Sequence, residues 1–296
     1  MLVGVVVLIV VLAVVGKSLR SGGKKQTQPI TTPTSGVTIT AGRTRAEIGK
    51  LLRQQGVKGS YVKATVSSSL LDPTAYGAPK STPTLEGLLW PGNYVLRRPW
   101  TISELVSDQL QAFKRNFAAV STKYAQARGL KPYDVVIIAS LIQGEALLPS
   151  DFGRVASVIY NRLRLGMYLG LDSTVAYATG NYGDLTAKQL ASSSAWNTIN
   201  HRGLPPTPID NPGAAAIEAA AMPPTTGYLY FIDKVCGNGR LLFTSSYSRF
   251  LVWSGRWQRA LKKAEKDGGS AEFCKPAKGG AQAQKAASGK PAGKSS

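Results

Sequence analysis

The chain is poor in acid, in histidine and in cysteine, and each shortage closes off a class of function. Of its 296 residues only 16 are Asp or Glu, against 36 Lys or Arg, with one His and two Cys. A single histidine and two cysteines outside any C-x-x-C spacing cannot complete a zinc site, so no metal is expected. His201 has no evident Ser or Cys partner, which argues against a hydrolytic triad. Zinc-finger spacing, an RNP-like aromatic run and a dense basic helix are all missing. Nucleic acid is therefore not the expected partner, despite a net charge of +20. Cys236 and Cys274 leave two readings open, a disulfide formed in an oxidising compartment or two buried thiols.

The basic excess suits anionic lipid or acidic wall polymers as well as it suits nucleic acid. Part of it lies outside any fold. Lys17, Arg20, Lys24 and Lys25 near one end, and Lys275, Lys278, Lys285, Lys290 and Lys294 near the other, have no acid among them; setting these nine aside leaves +11. Leu2–Gly16 is an uncharged run of Val, Leu, Ile, Ala and Gly. As a helix, residues 1–16 would be about 24 Å long, shorter than a hydrocarbon core of about 30 Å. A signal peptide is the competing reading, but the run has no charged leading segment and no clear A-x-A cleavage site. A transmembrane anchor is expected, with its start upstream of Met1. Residues 17–36, rich in Gly, Ser, Thr, Gln, Pro and Lys, read as a flexible linker. Positive charges after the anchor would by themselves put the rest of the chain in the cytoplasm.

Order is expected from Val37-Thr38-Ile39-Thr40, a short alternating strand. A helix comes next over Arg45–Gln55, with Thr44 and Glu47 forming a capping box. Residues 64–83 read as a loop. Two helices are predicted beyond it, over 103–118 and from Pro132, the second with Asp134 near its start. Ser150 or Asp151 should cap another that ends at Gly166. A short helix after Asp184, a Pro-rich loop at 203–213, an Ala-rich helix to Ala221 and strands at 228–232 and 241–243 complete an α+β body. Past about 263 the chain reads as a disordered basic tail.

One residue stands out. Glu145 closes the run Val135-Val136-Ile137-Ile138-Ala139-Ser140-Leu141-Ile142-Gln143-Gly144, where an unpaired charge is costly. A carboxyl pushed toward its neutral form can donate a proton near neutral pH, as cleavage of a glycosidic bond requires. A structural charge at a helix end is the alternative.

Several segments together resemble the YceG-like, or MltG, family of endolytic murein transglycosylases. They are Leu85-Glu86-Gly87-Leu88-Leu89-Trp90-Pro91, Ala139 to Glu145, Val155 to Leu163, Gly166-Met167-Tyr168-Leu169 with Leu171-Asp172-Ser173-Thr174-Val175, Gly203-Leu204-Pro205-Pro206 to Asn211-Pro212-Gly213, and Tyr228-Leu229-Tyr230-Phe231. The resemblance covers roughly residues 85–250. It implies a LysM-like strand–helix module at 37–63 and a catalytic domain at 84–262. The implied protein is a single-pass protein of the cytoplasmic membrane facing the cell wall. It would cut MurNAc–GlcNAc bonds in nascent peptidoglycan, leave 1,6-anhydroMurNAc ends, limit strand length and act near cell-wall synthesis proteins. No cofactor is implied. Glu145 takes the place of the catalytic acid, while Glu86, Ser140, Asn161, Asp172, Tyr177 and Asn197 are candidates for touching substrate or supporting the acid. The extracytoplasmic placement overrides the charge count and agrees with a disulfide.

Departures from the family pattern are Gln143 where a first Glu is frequent, Ser173 for Pro, Trp196 and Ile199 in a Y-N-T-Y pattern, Ala216 for Ser, and Leu241-Leu242-Phe243 for His-Thr-Phe. They keep open a second reading, a non-catalytic peptidoglycan-binding scaffold.

Overall fold

Thr34–Ile39 (β1) pairs antiparallel with Gly92–Arg97 (β2), Val37 opposite Tyr94. Between these strands lie Arg45–Gln54 (α1), the single turn Tyr61–Ala64 (α2) and a 3-10 turn at Pro73–Tyr76. Ile102–Phe117 (α3), the turn Lys123–Gln126 (α4), Pro132–Glu145 (α5), Pro149–Arg164 (α6), Asp172–Thr179 (α7), the turn Ala187–Leu190 (α8) and Ala214–Ala221 (α9) come after β2. A second antiparallel pair, Tyr230–Asp233 (β3) with Leu241–Thr244 (β4), leads into Tyr247–Lys266 (α10). The computed structural model describes residues 34–97, 100–234 and 239–266. The expected anchor, the linker up to residue 33, both cysteines and the tail beyond 266 lie outside the described residues. Among those residues the architecture is α+β, with two small sheets against a helical body. None of their helices is long and apolar enough to cross a membrane.

α5 is the centre of the body. Every residue from Val135 to Ile142 is buried, as a helix apolar on all sides must be. Each large aliphatic side chain buried this way contributes roughly 1.5–3 kcal/mol. Helices α4, α6, α7 and α9 pack around it. Its start obeys local rules: Pro132 takes the first turn, and the Lys131 N–H donates to Asp134 Oδ2 at 2.7 Å. Thr44 and Glu47 form the expected capping box on α1.

Other expectations are corrected. The linker does not extend to 36, because residues 34–36 already pair with β2. β2 itself is an addition, as are α2, α4, α7 and α10. Neither Ser150 nor Asp151 caps α6. The N-cap is Leu148, with Pro149 next in the chain. The Asp151 carboxylate is engaged elsewhere, accepting from the Leu241 N–H of β4 at 2.8 Å and pairing with Arg154. The last helix passes the expected domain end at 262 and reaches Lys266.

The Glu86 loop and the Pro-rich loop meet with little tolerance. Gly87 has φ +86°, and a Cβ there would lie 2.4 Å from Pro208 Cγ. Gly87→Ala is expected to cost about 2–4 kcal/mol, from positive-φ strain plus overpacking. Urea denaturation measures it, and a loss under about 0.5 kcal/mol would mean that the contact yields freely.

Candidate active site

Glu145 is the last residue of α5 and is only 1% exposed. Its carboxyl sits where α5 ends and α7 begins. The Ser173 hydroxyl, in the first turn of α7, donates to Glu145 Oε1 at 2.6 Å. The other oxygen, Oε2, is buried and makes no hydrogen bond among the described residues. Burial pushes the pKa up to about 8. The Ser173 hydroxyl opposes the rise, the Asp172 charge adds to it, the Ser173 N–H opposes it, and the Asp233 charge adds again. The carbonyl end of α5 also disfavours an anion. Glu145 is therefore neutral at neutral pH, with one oxygen held and the other unclaimed.

The first turn of α7 is fixed from below. Leu171 N–H donates to Thr198 Oγ1 at 3.1 Å, Gly170 N–H to the Thr198 carbonyl at 2.9 Å, and Thr174 and Thr198 hydroxyls lie 3.0 Å apart. Asp172, 8% exposed, stands in the same turn, and its charge is felt at Glu145.

The remaining expected residues are builders. Ser140 donates to the Ile137 carbonyl at 2.8 Å and accepts from the Ile209 N–H at 3.0 Å, locking the Pro-rich loop onto α5. Asn161 donates to the carbonyls of Thr226 and Tyr228, each at 2.9 Å, and so steers the chain into β3. Asn197 donates to the Leu190 and Ser192 carbonyls and accepts from the Ile199 N–H, holding its own loop. Tyr177 rests against Trp196, ring centres 6.2 Å apart, and Trp196 Nε1 donates to Thr207.

Glu86 is not placed as a second acid by its partners. It accepts from the Arg45 N–H at 3.0 Å and from Asn211 Nδ2 at 2.8 Å, which puts it on the N-terminus of α1. Burial raises its pKa to about 7, against the pull of the Arg45 N–H, the Arg45 charge and Asn211. Gln143, in the place of a first Glu, accepts from the Gly213 N–H at 3.2 Å, at the start of α9.

Three residues escaped the sequence reading. Asp233 ends β3, has its pKa raised to about 7 by burial, and is felt at Glu145. Arg162, buried in α6, donates to the Leu229 and Leu169 carbonyls. Burial lowers its pKa to about 10, opposed by Tyr230 and by Glu145. Asn211 uses its whole amide: Oδ1 accepts from Gly87 and Leu89 N–H, and Nδ2 donates to the Arg43 carbonyl and Glu86. A lone acid in a strand and a polar residue in a loop carry no local signal of such partners.

Two clefts lie away from this site. One of about 370 Å³ is lined by Trp90, Tyr94, Asp108, Gln111 and Arg115, and one of about 200 Å³ by Tyr124, Arg128, Tyr160 and Arg164. Glu145 borders neither.

Comparison with known proteins adds relatives to this geometry. The endolytic murein transglycosylase of Bacillus subtilis (strain 168) is 36% identical over 163 residues, 55% of this chain and 45% of that protein. That of Streptococcus pneumoniae serotype 2 (strain D39) is 31% identical over 157 residues, 51% of this chain and 28% of its own. The chain thus spans less than half the length of either. A 2.6 Å crystal structure of a YceG-like protein from Listeria monocytogenes superposes with a TM-score of 0.63 at 28% identity, covering 73% of this chain and 75% of that one. The profile of the YceG-like family matches residues 12–253, most of the sequence, and the chain belongs to that family.

Proposed function

We propose that the protein is an endolytic peptidoglycan lytic transglycosylase with Glu145 as its acid and base. The observation that carries this is a buried, neutral carboxyl with one oxygen anchored by Ser173 and the other unengaged. Such a group can serve both halves of one reaction. Glu145 gives its proton to the glycosidic oxygen between MurNAc and GlcNAc, and the C1–O bond breaks. The carboxylate then takes the proton of the C6 hydroxyl of the same MurNAc, whose oxygen closes onto C1. The product is a 1,6-anhydro end, the acid is regenerated, and neither water nor a cofactor is consumed. The named relatives, endolytic murein transglycosylases, support the substrate class.

The rest of the proposal concerns setting. The apolar run at 1–16 anchors the chain in the cytoplasmic membrane, and the body faces the wall, acting on nascent strands beside the synthesis proteins and limiting strand length. A Cys236–Cys274 disulfide suits that side. The LysM-like module proposed to contact glycan takes in β2 as well as the strand and helix expected at 37–63, since β1 and β2 pair around α1 and α2.

Digestion of un-crosslinked glycan strands and mass spectrometry of the products test the reaction. Anhydro-muropeptides are expected. Products heavier by one water would replace the proposal with a hydrolase, in which Asp172 or Asp233 would serve as second carboxylate. No products at all would favour the scaffold reading.

A further inference from the structure

We propose that Ser173 is the positioning residue that decides which oxygen of Glu145 carries the proton: its hydroxyl claims Oε1 as acceptor and leaves Oε2 to hold the proton and deliver it. The inference rests on the proposed role of Glu145 as the acid.

A neutral carboxyl has one C=O and one O–H. Ser173 Oγ lies 2.6 Å from Oε1 and donates to it, which makes Oε1 the carbonyl oxygen. The proton then belongs to Oε2, which is buried and has no protein acceptor among the described residues. After transfer the negative charge is still met by the Ser173 hydroxyl and, more weakly, by the Ser173 N–H, so the hydroxyl that orients the acid also steadies its conjugate base.

The arrangement is built, not incidental. Ser173 cannot drift, because the Thr174–Thr198 pair and the Leu171 N–H fix the turn that carries it. The residue before Glu145 is Gly144, which leaves Ser173 room beside α5. A Cβ on Gly144 would lie 3.2 Å from Ser173 Cβ. The charges facing Glu145 are Asp172 on α7, Asp233 on β3 and Arg162 on α6. Of the other helices packed on α5, α9 carries only the exposed Glu218 and α4 the exposed Lys123. None of these supplies the hydrogen bond that Ser173 does.

The reverse arrangement, with the proton on Oε1 and donated to Ser173 Oγ, makes the opposite pH prediction. If Ser173 donates, it favours the carboxylate, and removing it raises the pKa of Glu145. The pH profile of anhydro-muropeptide release from un-crosslinked glycan strands distinguishes the two. In Ser173→Ala the alkaline limb should move up by about one pH unit, and the plateau rate should fall about tenfold from lost orientation. Ser173→Thr should restore both, and Ser173→Cys, a weaker donor of similar size, should shift the limb upward by less. Should Ser173→Ala not fold, as read by circular dichroism, the Cys and Thr variants carry the test. A limb that stays put or moves down overturns the assignment. Glu145→Gln, run in parallel, separates the two levels. If it is inactive and the limb does not rise, only the role of Ser173 is lost. If it remains active, the acid itself was wrongly chosen and the Ser173 proposal falls with it.

Discussion

Glu145→Gln is expected to lower anhydro-muropeptide release by on the order of 10²–10⁴-fold while stabilising the fold at neutral and alkaline pH. The two effects have one origin. The folded pKa is raised to about 8, above the ordinary carboxylate value near 4.5, so the folded chain binds a proton that the unfolded chain has released. Stability from this group is fully present below about pH 4.5 and is lost as pH rises toward 8. Glutamine cannot ionise and escapes that loss. The stability difference between variant and wild type should widen in favour of the variant by about 3 kcal/mol between pH 5 and pH 8. Urea titrations of both proteins at the two pH values give it directly. A constant difference would mean that Glu145 titrates as an ordinary carboxyl, and wild-type release would remove it from catalysis. Such an opposition between stability and activity is what a buried acid kept for chemistry should show.

Asn211→Ala should be the most damaging change outside that site. It strands the Gly87 and Leu89 N–H groups and strips one donor each from Glu86 and the Arg43 carbonyl. At about 1–3 kcal/mol for each buried group left unpaired, the expected loss is about 3–5 kcal/mol. That is a large share of a stability of roughly 5–15 kcal/mol. Asn211→Asp probes the same knot electrostatically. It keeps an acceptor for the two N–H groups but sets a second carboxyl beside Glu86, so both prefer to hold a proton in the folded state. Its penalty should therefore grow from pH 5 to pH 8, whereas that of Asn211→Ala should change much less. A urea midpoint for Asn211→Ala within about 0.5 kcal/mol of wild type would show that the knot is dispensable.

What was legible in the sequence was local. Thr44 and Glu47 announce the start of α1, Pro132 and Asp134 that of α5, and the unbroken apolar run makes Glu145 conspicuous. What was not legible depends on partners far along the chain. β2 is a strand because β1, some 55 residues earlier at the Thr38–Asn93 contact, pairs with it. Asp151 looked like a cap because Asp commonly caps helices, but β4 engages its carboxylate. Asp233 bears on Glu145 only because β3 ends there. The amides of Asn161 and Asn197 and the hydroxyl of Ser140 are spent on backbone groups, and no sequence spacing reveals that.

The Asn211 knot also sets an order of events during synthesis. Its amide bonds to Arg43, 168 positions earlier. At roughly 5–20 residues per second, the first strand and helix wait on the order of 10–30 s before the residue that secures them exists. Closing so long a loop is entropically slow to reward, and contacts of such separation form late. Until then the start of α1 and the Glu86 loop lack their common tie, and the half-made chain carries exposed apolar surface. The β1–α1 segment is thus made long before Asn211 and secured only once Asn211 arrives.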